Sequence, residues 1–231
     1  MSEETRKKQI GLLVAVELDS VFQRYGMPGT AKKRGGFDIY QYENENYVLH
    51  VIHSGLGELA AAAATELLID RFNVELVVNF GVVGGLTEEM AKTKTCVVTS
   101  VVHYDFDISG IDPLEPGQYP GFASPMLPTD SALVEKALRI CPELKPVICA
   151  SADKFVAGSA DKSRLHERWG ADICEMESAA VLLTCKRNET PCLLLKAVSD
   201  GLTGGGEEYY DALEKSASLA LEVTDRIIRE L

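Results

Sequence analysis

Acidic residues at the ends of apolar segments are the side chains of this sequence that could do chemistry. Glu175 and Glu177 stand in "CEMESAAV", where an apolar stretch meets an Ala-rich helical pattern. Asp200 ends "AVSD" just before a glycine-rich segment, and Glu17 and Asp19 follow the apolar run "IGLLVAV". Carboxyl groups at such positions can transfer protons or bind hydroxyl groups. Acid–base chemistry on a bound substrate is therefore one interpretation of these residues.

Each of these acids also has a structural explanation. An acidic residue in the first turn of a helix interacts favourably with the helix dipole, by ~0.3–1 kcal/mol. An aspartate at a strand end is commonly an N-cap or a turn former. The sequence has no Gly-x-Ser-x-Gly elbow and no evident Cys–His pair, so it does not indicate a covalent nucleophile. For "CEMESAAV" taken alone, the helix-start explanation is preferred.

The overall charge limits the possible partners. The chain has 231 residues and a net charge of −12 at pH 7, and such an acidic surface repels nucleic acid and anionic membranes. No apolar run approaches the ~20 residues that a membrane span needs. The N-terminus, "MSEETRKKQI", lacks the apolar core of a signal peptide. We expect a cytoplasmic protein that binds neither nucleic acid nor membrane.

Cysteine and histidine spacing gives no sign of a metal site. The six cysteines form no Cys-x-x-Cys pair and lie mostly in apolar surroundings, so we interpret them as buried thiols. The four histidines lack zinc-binding spacing. His50 and His53 are three residues apart, which on a strand places them on opposite faces. We expect no metal.

Short apolar runs alternate with helical patterns along the chain. Strands are predicted at residues 10–16, 47–54, 74–86, 93–103, 146–156 and 191–200. Helices are predicted after "IGLLVAV" and "CEME", at residues 57–72 and 131–140, and from residue 209 to the end. This alternation predicts one α/β domain over residues 1–231, with helices on both faces of a mainly parallel or mixed sheet.

Polar or glycine-rich segments follow several of these strands. In open α/β sheets, ligands bind at the carboxyl ends of the strands. The positions concerned are Glu17, Asp19, residues 81–85, residues 153–155, Ser199 and Asp200. The irregular segment 105–130 is long for a compact domain and is expected to have a function or to lie in an interface. The sequence predicts a site assembled from distant parts of the chain.

Two glycine motifs resemble nucleotide-binding loops but are incomplete. "GLGELA" (55–60) matches the dinucleotide fingerprint, yet the next strand ends in "NFG" without an acidic residue for the ribose hydroxyls. "NFGVVGGL" (79–86) lacks the Gly-Lys-Ser/Thr ending of a triphosphate-binding loop. We interpret both as tight turns and expect no cofactor.

The ordered set of segments resembles the nucleoside phosphorylase/hydrolase family. In order these are "IGLLVAVELD", "HSGLGELAAAAA", "NFGVVGGL", "HYDFDISGIDPLEPGQYPG", "SADKFVAG", "CEMESAAV" and "KAVSDG", and they cover almost the whole chain. The closest branch is that of the bacterial 5'-methylthioadenosine/S-adenosylhomocysteine nucleosidases. The resemblance implies a three-layer α/β/α sandwich around a mixed, partly barrel-like central sheet. It also implies a homodimer that hydrolyses the N-glycosidic bond of a purine nucleoside.

The resemblance assigns roles to residues of the predicted strand ends. Asp200 matches the acid that protonates the purine at N7, and Ser199 would orient it. Glu177 matches the residue that binds the ribose hydroxyls, and Met176 would pack against the ribose face. Glu175 is expected to be mainly structural. Protonating the leaving base and placing negative charge near a cation-like sugar is the logic of glycoside hydrolysis, applied to nitrogen.

Further residues are implied around the base and at the subunit interface. Phe155 in "SADKFVAG" would stack on the purine, and the backbone of Val156 would read the base edge. Tyr119 and Pro120 in "GQYPG" would close the pocket of a neighbouring subunit. An ordinary surface loop is the alternative for this last segment.

The chain departs from the family pattern at the carboxylate that activates water. Where the family has a run of the type Ala-Met-Glu-Glu-Glu, this chain has "AVELD", so the aligned residue is Asp19. Aspartate is shorter than glutamate by one methylene, ~1.5 Å of reach. Either the backbone shifts, or Glu17 substitutes, or activity is altered. A catalytically weak nucleoside-binding protein is the alternative that this departure motivates.

A second departure concerns the choice between water and phosphate as nucleophile. Val82 follows Gly81 where many family members have serine or threonine. Phosphorylases need polar and basic groups at this turn to hold phosphate. Val82 therefore favours water as nucleophile and a nucleosidase, with a purine or uridine nucleoside phosphorylase of the same fold as the alternative.

Overall fold

The computed structural model describes residues 6–231, and these contain each of the predicted strands and helices together with further elements. The strands are β1 (Lys8–Val14), β2 (Lys32–Arg34), β3 (Phe37–Glu43), β4 (Tyr47–His53), β5 (Leu76–Gly85), β6 (Thr95–His103), β7 (Met126–Pro128), β8 (Lys145–Ser151), β9 (Ile173–Glu175) and β10 (Cys192–Asp200). The helices are α1 (Leu18–Tyr25), α2 (Glu58–Phe72), α3 (Ser131–Ile140), α4 (Ser159–Trp169), α5 (Ser178–Arg187) and α6 (Gly206–Glu230).

The strands form one mixed sheet, part of which closes on itself. Hydrogen bonding follows the order β10-β6-β8-β9-β5-β1-β4-β3-β2, and β10 also pairs with β5. This extra pairing closes β10, β6, β8, β9 and β5 into a five-stranded barrel, and the remaining strands of that order extend the sheet from β5. Closure fixes the strand ends relative to one another. The predicted mixed, partly barrel-like sheet is confirmed.

Two apolar cores cover the two faces of the sheet. Helices α2 and α5 pack on one face, where Ala64 and Val181 are buried. Helices α1, α3 and α6 cover the other face through residues such as Val21, Val134 and Ile227. Each of these five helices therefore packs buried apolar residues against the sheet. The predicted three-layer sandwich is confirmed.

The predicted strand 146–156 is too long. Strand β8 ends at Ser151, and the chain then leaves the sheet to reach α4. Asp153 in this connection accepts a hydrogen bond from the backbone N–H of Glu58 at the start of α2 (2.7 Å), which holds the chain away from the sheet. Phe155 and Val156 therefore lie in a loop, free of the strand pairing that the sequence pattern predicts.

The sequence prediction omits β3, a strand of seven residues, together with several short or polar elements. Helix α4 has the sequence "SADKSRLHERW", which lacks a clear apolar stripe, and β2, β7 and β9 have three residues each. Short elements carry little periodicity, and their pairing partners are distant in sequence. Tertiary contacts decide these elements.

The cysteines are buried and free, as predicted. Burial raises the pKa of the Cys96 and Cys174 thiols to about 12, so both stay uncharged near neutral pH.

None of the helices within residues 6–231 is both long enough and apolar enough to cross a membrane.

Candidate active site

A cavity of about 460 Å³ lies at the carboxyl ends of β1, β5, β9 and β10. Eight predicted site residues line it, namely Glu17, Val82, Phe155, Val156, Met176, Glu177, Ser199 and Asp200. Four other predicted residues do not, namely Asp19, Gly81, Tyr119 and Pro120. The lining residues come from distant parts of the chain, so the sheet topology builds the site.

Asp200 is the last residue of β10, and its carboxyl group is held from two sides. The pairing of β10 with β5 shifts register between Val198 and Asp200, which leaves Ser199 in a bulge. The hydroxyl of Ser199 donates to Oδ1 of Asp200 (2.8 Å), and the ammonium of Lys162 lies 2.5 Å from Oδ2. Sequence reasoning missed Lys162, because nothing near it in the sequence indicates this partner.

Glu177 lies between β9 and α5 and faces the cavity. Its Oε1 accepts a hydrogen bond from the backbone N–H of Gly57 (2.9 Å), just before α2. Gly57 has a φ of 93°, a backbone conformation that favours glycine, which explains why the "GLGELA" turn has glycine at this position. Burial, together with the charge of Glu175, raises the pKa of Glu177 to about 7. Such a carboxyl group changes charge near neutral pH, as many functional residues do.

Glu175 has a structural environment distinct from that of Glu177. Its carboxylate accepts hydrogen bonds from the backbone N–H groups of Glu177 (3.2 Å) and Ser178 (2.9 Å) at the start of α5. The ammonium of Lys196 lies 3.0 Å away. Burial alone would raise the pKa of Glu175, but Lys196 and the serine hydroxyls of Ser151 and Ser178 outweigh it and lower the pKa. Glu175 therefore caps α5 as a carboxylate.

The structure separates Glu17 from Asp19. Glu17 is 4 % exposed, and its two carboxylate oxygens accept the backbone N–H groups of Val82 (2.8 Å) and Val16 (3.0 Å). A Cβ at Gly81 would lie 2.8 Å from Oε1 of Glu17, so only glycine leaves room for this carboxylate. Asp19 lies in the first turn of α1 and is exposed. Glu17, which comes just before that helix, is the acid that reaches the cavity.

Apolar and aromatic residues form another wall of the cavity. Phe155 and Tyr209 meet edge to face, with ring centroids 5.5 Å apart. Leu56, Met176 and Tyr210 also line the cavity, and the side chains of Leu56 and Tyr210 are largely exposed at its rim. Sequence reasoning missed Leu56, Tyr209 and Tyr210. The two tyrosines begin the long helical pattern, which gives no sign that its first turns face a cavity.

Tyr119 lies in the irregular segment between β6 and β7, away from the cavity of its own chain. Its ring stacks on Phe106, with centroids 3.9 Å apart, and its hydroxyl lies 2.6 Å from Nδ1 of His103. The other ring nitrogen of His103 lies 2.8 Å from both Glu58 and Asp105. These contacts anchor the segment to the sheet and to the start of α2.

A three-layer fold with a partly closed barrel and an acid-lined cavity at its strand ends defines an α/β protein of the nucleoside phosphorylase type. The sequence model of the phosphorylase superfamily matches residues 11–231, and the chain belongs to this superfamily.

The chain is similar to several nucleosidases over most of its length. It is 29% identical to an aminodeoxyfutalosine nucleosidase of Helicobacter pylori, over 97% of this chain and 100% of that protein. It is 32% identical to a 5'-methylthioadenosine/S-adenosylhomocysteine nucleosidase of Hydrogenovibrio crunogenus, over 82% of this chain and 85% of that protein. A solved structure of a Helicobacter pylori 5'-methylthioadenosine/S-adenosylhomocysteine nucleosidase mutant, with 5'-methylthioadenosine in the active site, superposes with a TM-score of 0.91 at 27% identity, covering 98% of this chain and 100% of that one.

The raised pKa of Glu177 predicts a pH-dependent effect on stability. Because its pKa is about 7 in the folded protein and 4.5 ordinarily, the folded state binds the proton more tightly, and this group's contribution to stability falls as pH rises between these values. We expect Glu177→Gln to increase the free energy of unfolding by up to roughly 3 kcal/mol at pH 8 and to change it little at pH 4.5.

Urea unfolding at the two pH values measures this difference. Glu207→Gln is the matched control, because Glu207 is an exposed acid in the first turn of α6. A stabilisation by Glu177→Gln that is equal at both pH values, or a loss of stability at pH 8, would contradict the assignment of the buried charge.

Proposed function

We propose that this protein is a purine nucleosidase that hydrolyses the N-glycosidic bond of 5'-substituted adenosines such as 5'-methylthioadenosine and S-adenosylhomocysteine. The products are free adenine and a 5-thio-ribose. One observation carries the proposal: Glu17, Glu177 and Asp200, from three distant parts of the chain, line a single cavity beside aromatic side chains. Similarity to nucleosidases along most of the chain supports the same reaction.

In this proposal each of the three acids has a different role in the reaction. Asp200 protonates the leaving purine at N7, because a protonated base leaves more readily. Glu177 accepts hydrogen bonds from the ribose hydroxyls and holds the sugar, and Met176 packs against it. Glu17 takes a proton from the attacking water. Negative charge beside the sugar also stabilises its oxocarbenium-like transition state.

The base is held by residues of the loop after β8. Phe155 offers a ring on which a purine can stack, and Tyr209 supports that ring from the side. Val156 is almost fully buried beside the cavity, which supports a role for its backbone in reading the base edge. Ser199 holds the carboxyl group of Asp200 in a fixed orientation.

The cavity favours water over phosphate as the nucleophile. The backbone N–H of Val82, in the glycine-rich part of β5 where a phosphorylase would hold phosphate, donates to Glu17. A carboxylate at this position repels an anion and suits a neutral water. Within the described part of the chain, Lys154 is the only cationic residue that lines the cavity, and it is exposed.

The position of Glu17 also bears on the nucleoside-binding alternative. The shorter Asp19 at the aligned position is the feature that favours a weakly active binding protein. Since Glu17 reaches the cavity and Asp19 does not, the geometry offers a full-length carboxylate for water activation. This supports an active enzyme.

The apolar rim supports a thio substituent at the 5' position. Leu56, Met176 and Tyr210 present apolar surface to the cavity, which suits an alkylthio group better than a charged one. A second candidate substrate is an aminodeoxyfutalosine-type nucleoside, because several similar proteins are nucleosidases of that substrate. Competition between the two nucleosides in one reaction mixture ranks them by kcat/KM.

The nature of the products tests the reaction. We expect wild-type protein to release adenine and a free 5-thio-ribose from 5'-methylthioadenosine in phosphate-free buffer. Asp200→Asn removes the proton donor and should lower kcat by about 10²-fold or more. Chromatography of the products with and without phosphate measures both. A pentose 1-phosphate product would establish a phosphorylase instead, and near-wild-type turnover by Asp200→Asn would reject the assigned acid.

A matched pair of variants tests which acid activates the water. Glu17→Gln keeps the size of the side chain but removes the base, so kcat should fall by about 10²-fold or more. Asp19→Asn changes an exposed residue outside the cavity and should leave kcat within about twofold of wild type. Initial rates of adenine release decide between them. The opposite pattern would return the role to Asp19.

We also propose that the protein is a homodimer in which Tyr119 and Pro120 close the pocket of the partner subunit. Tyr119 is anchored by its own chain but lies outside its own cavity, which leaves it available to a second copy. Leu59 and Ile111 are 86% and 91% exposed, as expected for apolar residues awaiting a partner.

Sedimentation velocity and kinetics test the dimer. We expect a species of twice the 25.1 kDa chain mass, and Tyr119→Ala should raise KM for the nucleoside more than it lowers kcat. Lys136→Ala on α3, at an intermediate-exposure position outside the cavity, serves as control. A monomer with full activity would reject the proposal.

A further inference from the structure

A fully buried lysine lies behind the cavity, where the proposed mechanism does not use it. Lys162 of α4 is 0% exposed and does not line the cavity. Its Nζ lies 2.5 Å from Oδ2 of Asp200, 2.7 Å from the backbone carbonyl of Gly201 and 3.2 Å from that of Gly204. Burying an ammonium is costly unless it is paired and hydrogen-bonded, and Asp200 provides the charge that pairs with it.

The hydrogen-bonding capacity of Lys162 is consumed within the protein. An ammonium has three N–H donors, and the Asp200 carboxylate and two backbone carbonyls suffice to use them. No donor is left for a ligand. Lys162 can therefore influence a reaction in the cavity only through Asp200 and the glycine-rich segment after it.

We propose that Lys162 is a positioning residue for the reaction: it fixes the orientation of the Asp200 carboxyl group and sets the pH range in which this group donates a proton. The inference rests on the proposed function, in which Asp200 protonates the purine. With Ser199 holding Oδ1 and Lys162 holding Oδ2, both oxygens have fixed partners. Such preorganisation removes the need to orient the acid during the reaction.

The position of Lys162 also connects three parts of the site. Helix α4 begins shortly after Val156, so the lysine is rigidly linked to the loop proposed to hold the base. Its carbonyl partners belong to the segment between β10 and α6, and α6 contributes Tyr209 to the cavity. A single ammonium thus joins the base loop, the acid and the start of α6.

Lys162 forms an ion pair with Asp200, and three other titratable residues lie near this pair. Cys174 of β9 and Tyr209 of α6 face the same region, and burial raises the pKa of each to about 12, so both are neutral near pH 7. Glu208 of α6 accepts the backbone N–H of Gly201 (2.9 Å) and adds negative charge nearby. The ammonium of Lys162, 2.5 Å from Oδ2, is thus the positive charge that directly contacts the Asp200 carboxyl group.

Replacing the lysine by an apolar side chain of similar length tests the inference. Lys162→Met should lower kcat by about 10-fold or more while KM changes less, because orientation of the acid is lost. Because the variant removes the positive charge that lies 2.5 Å from Oδ2 of Asp200, the alkaline limb of the kcat profile should move to higher pH. A purely structural role would lower the melting temperature without moving this limb.

Two further variants complete the experiment. Arg164→Met is the matched control, because it removes one positive charge from an exposed position of the same helix, and it should keep the wild-type limb. Lys162→Arg retains the charge and should also keep the wild-type limb while lowering kcat. If Lys162→Met does not fold, Lys162→Gln is measured instead, and the alkaline limb of its kcat profile should also move to higher pH.

The outcomes separate this inference from the proposed function. Wild-type adenine release tests the function by itself. Adenine affinity measured by calorimetry against pH is a second readout for Lys162 that does not need turnover. If wild type and Lys162→Met have the same pH dependence in both adenine binding and kcat, the role assigned to Lys162 is wrong, whatever the reaction. If only the wild-type reaction fails, the proposed function is wrong.

Discussion

The burial of several carboxyl groups around one cavity is the constraint on which the rest of the site depends. An isolated buried charge costs several kcal/mol, so each acid needs a fixed partner within the protein. Glu175 and Asp200 each have a lysine. Among residues 6–231, Glu177 and Glu17 have backbone N–H donors instead. The two acids without a cation retain the capacity to accept hydrogen bonds from a sugar or a water.

The closed barrel supplies the partners that this constraint requires. Strand β5 pairs with β1, β9 and β10, so the ends of all four strands meet at the cavity. The segment "NFGVVGGL" continues strand β5 instead of forming the predicted tight turn. Within this strand the N–H of Val82 donates to Glu17, and Gly81 leaves space for that carboxylate. On β10, the bulge at Ser199 shifts the register so that Asp200 pairs with Gly84 of β5. Backbone geometry therefore positions the acids as much as their side chains do.

Glu177 illustrates the cost of this arrangement. Its pKa is raised to about 7 because burial and Glu175 both oppose its charge, and the single hydrogen bond from Gly57 does not offset them. Natural proteins retain such locally unfavourable groups mainly at functional sites. Ribose hydroxyls would provide the missing donors in the proposed reaction. Glu175, two residues before Glu177, is paired with Lys196, and its pKa is lowered, so its buried charge carries no comparable cost.

The sequence by itself determined the fold class and most of the proposed site. The sequence shows long apolar strands that alternate with helices, and ordered motifs around Glu177 and Asp200. These features can be recognised from the sequence because periodicity and strand-end chemistry are properties of neighbouring residues. Only the tertiary structure showed that Glu17 lines the cavity while Asp19 is exposed, because this depends on where α1 begins relative to β5. Only it revealed Lys162, since a buried ion pair joins residues that the sequence separates, and its location is set by packing rather than by pattern.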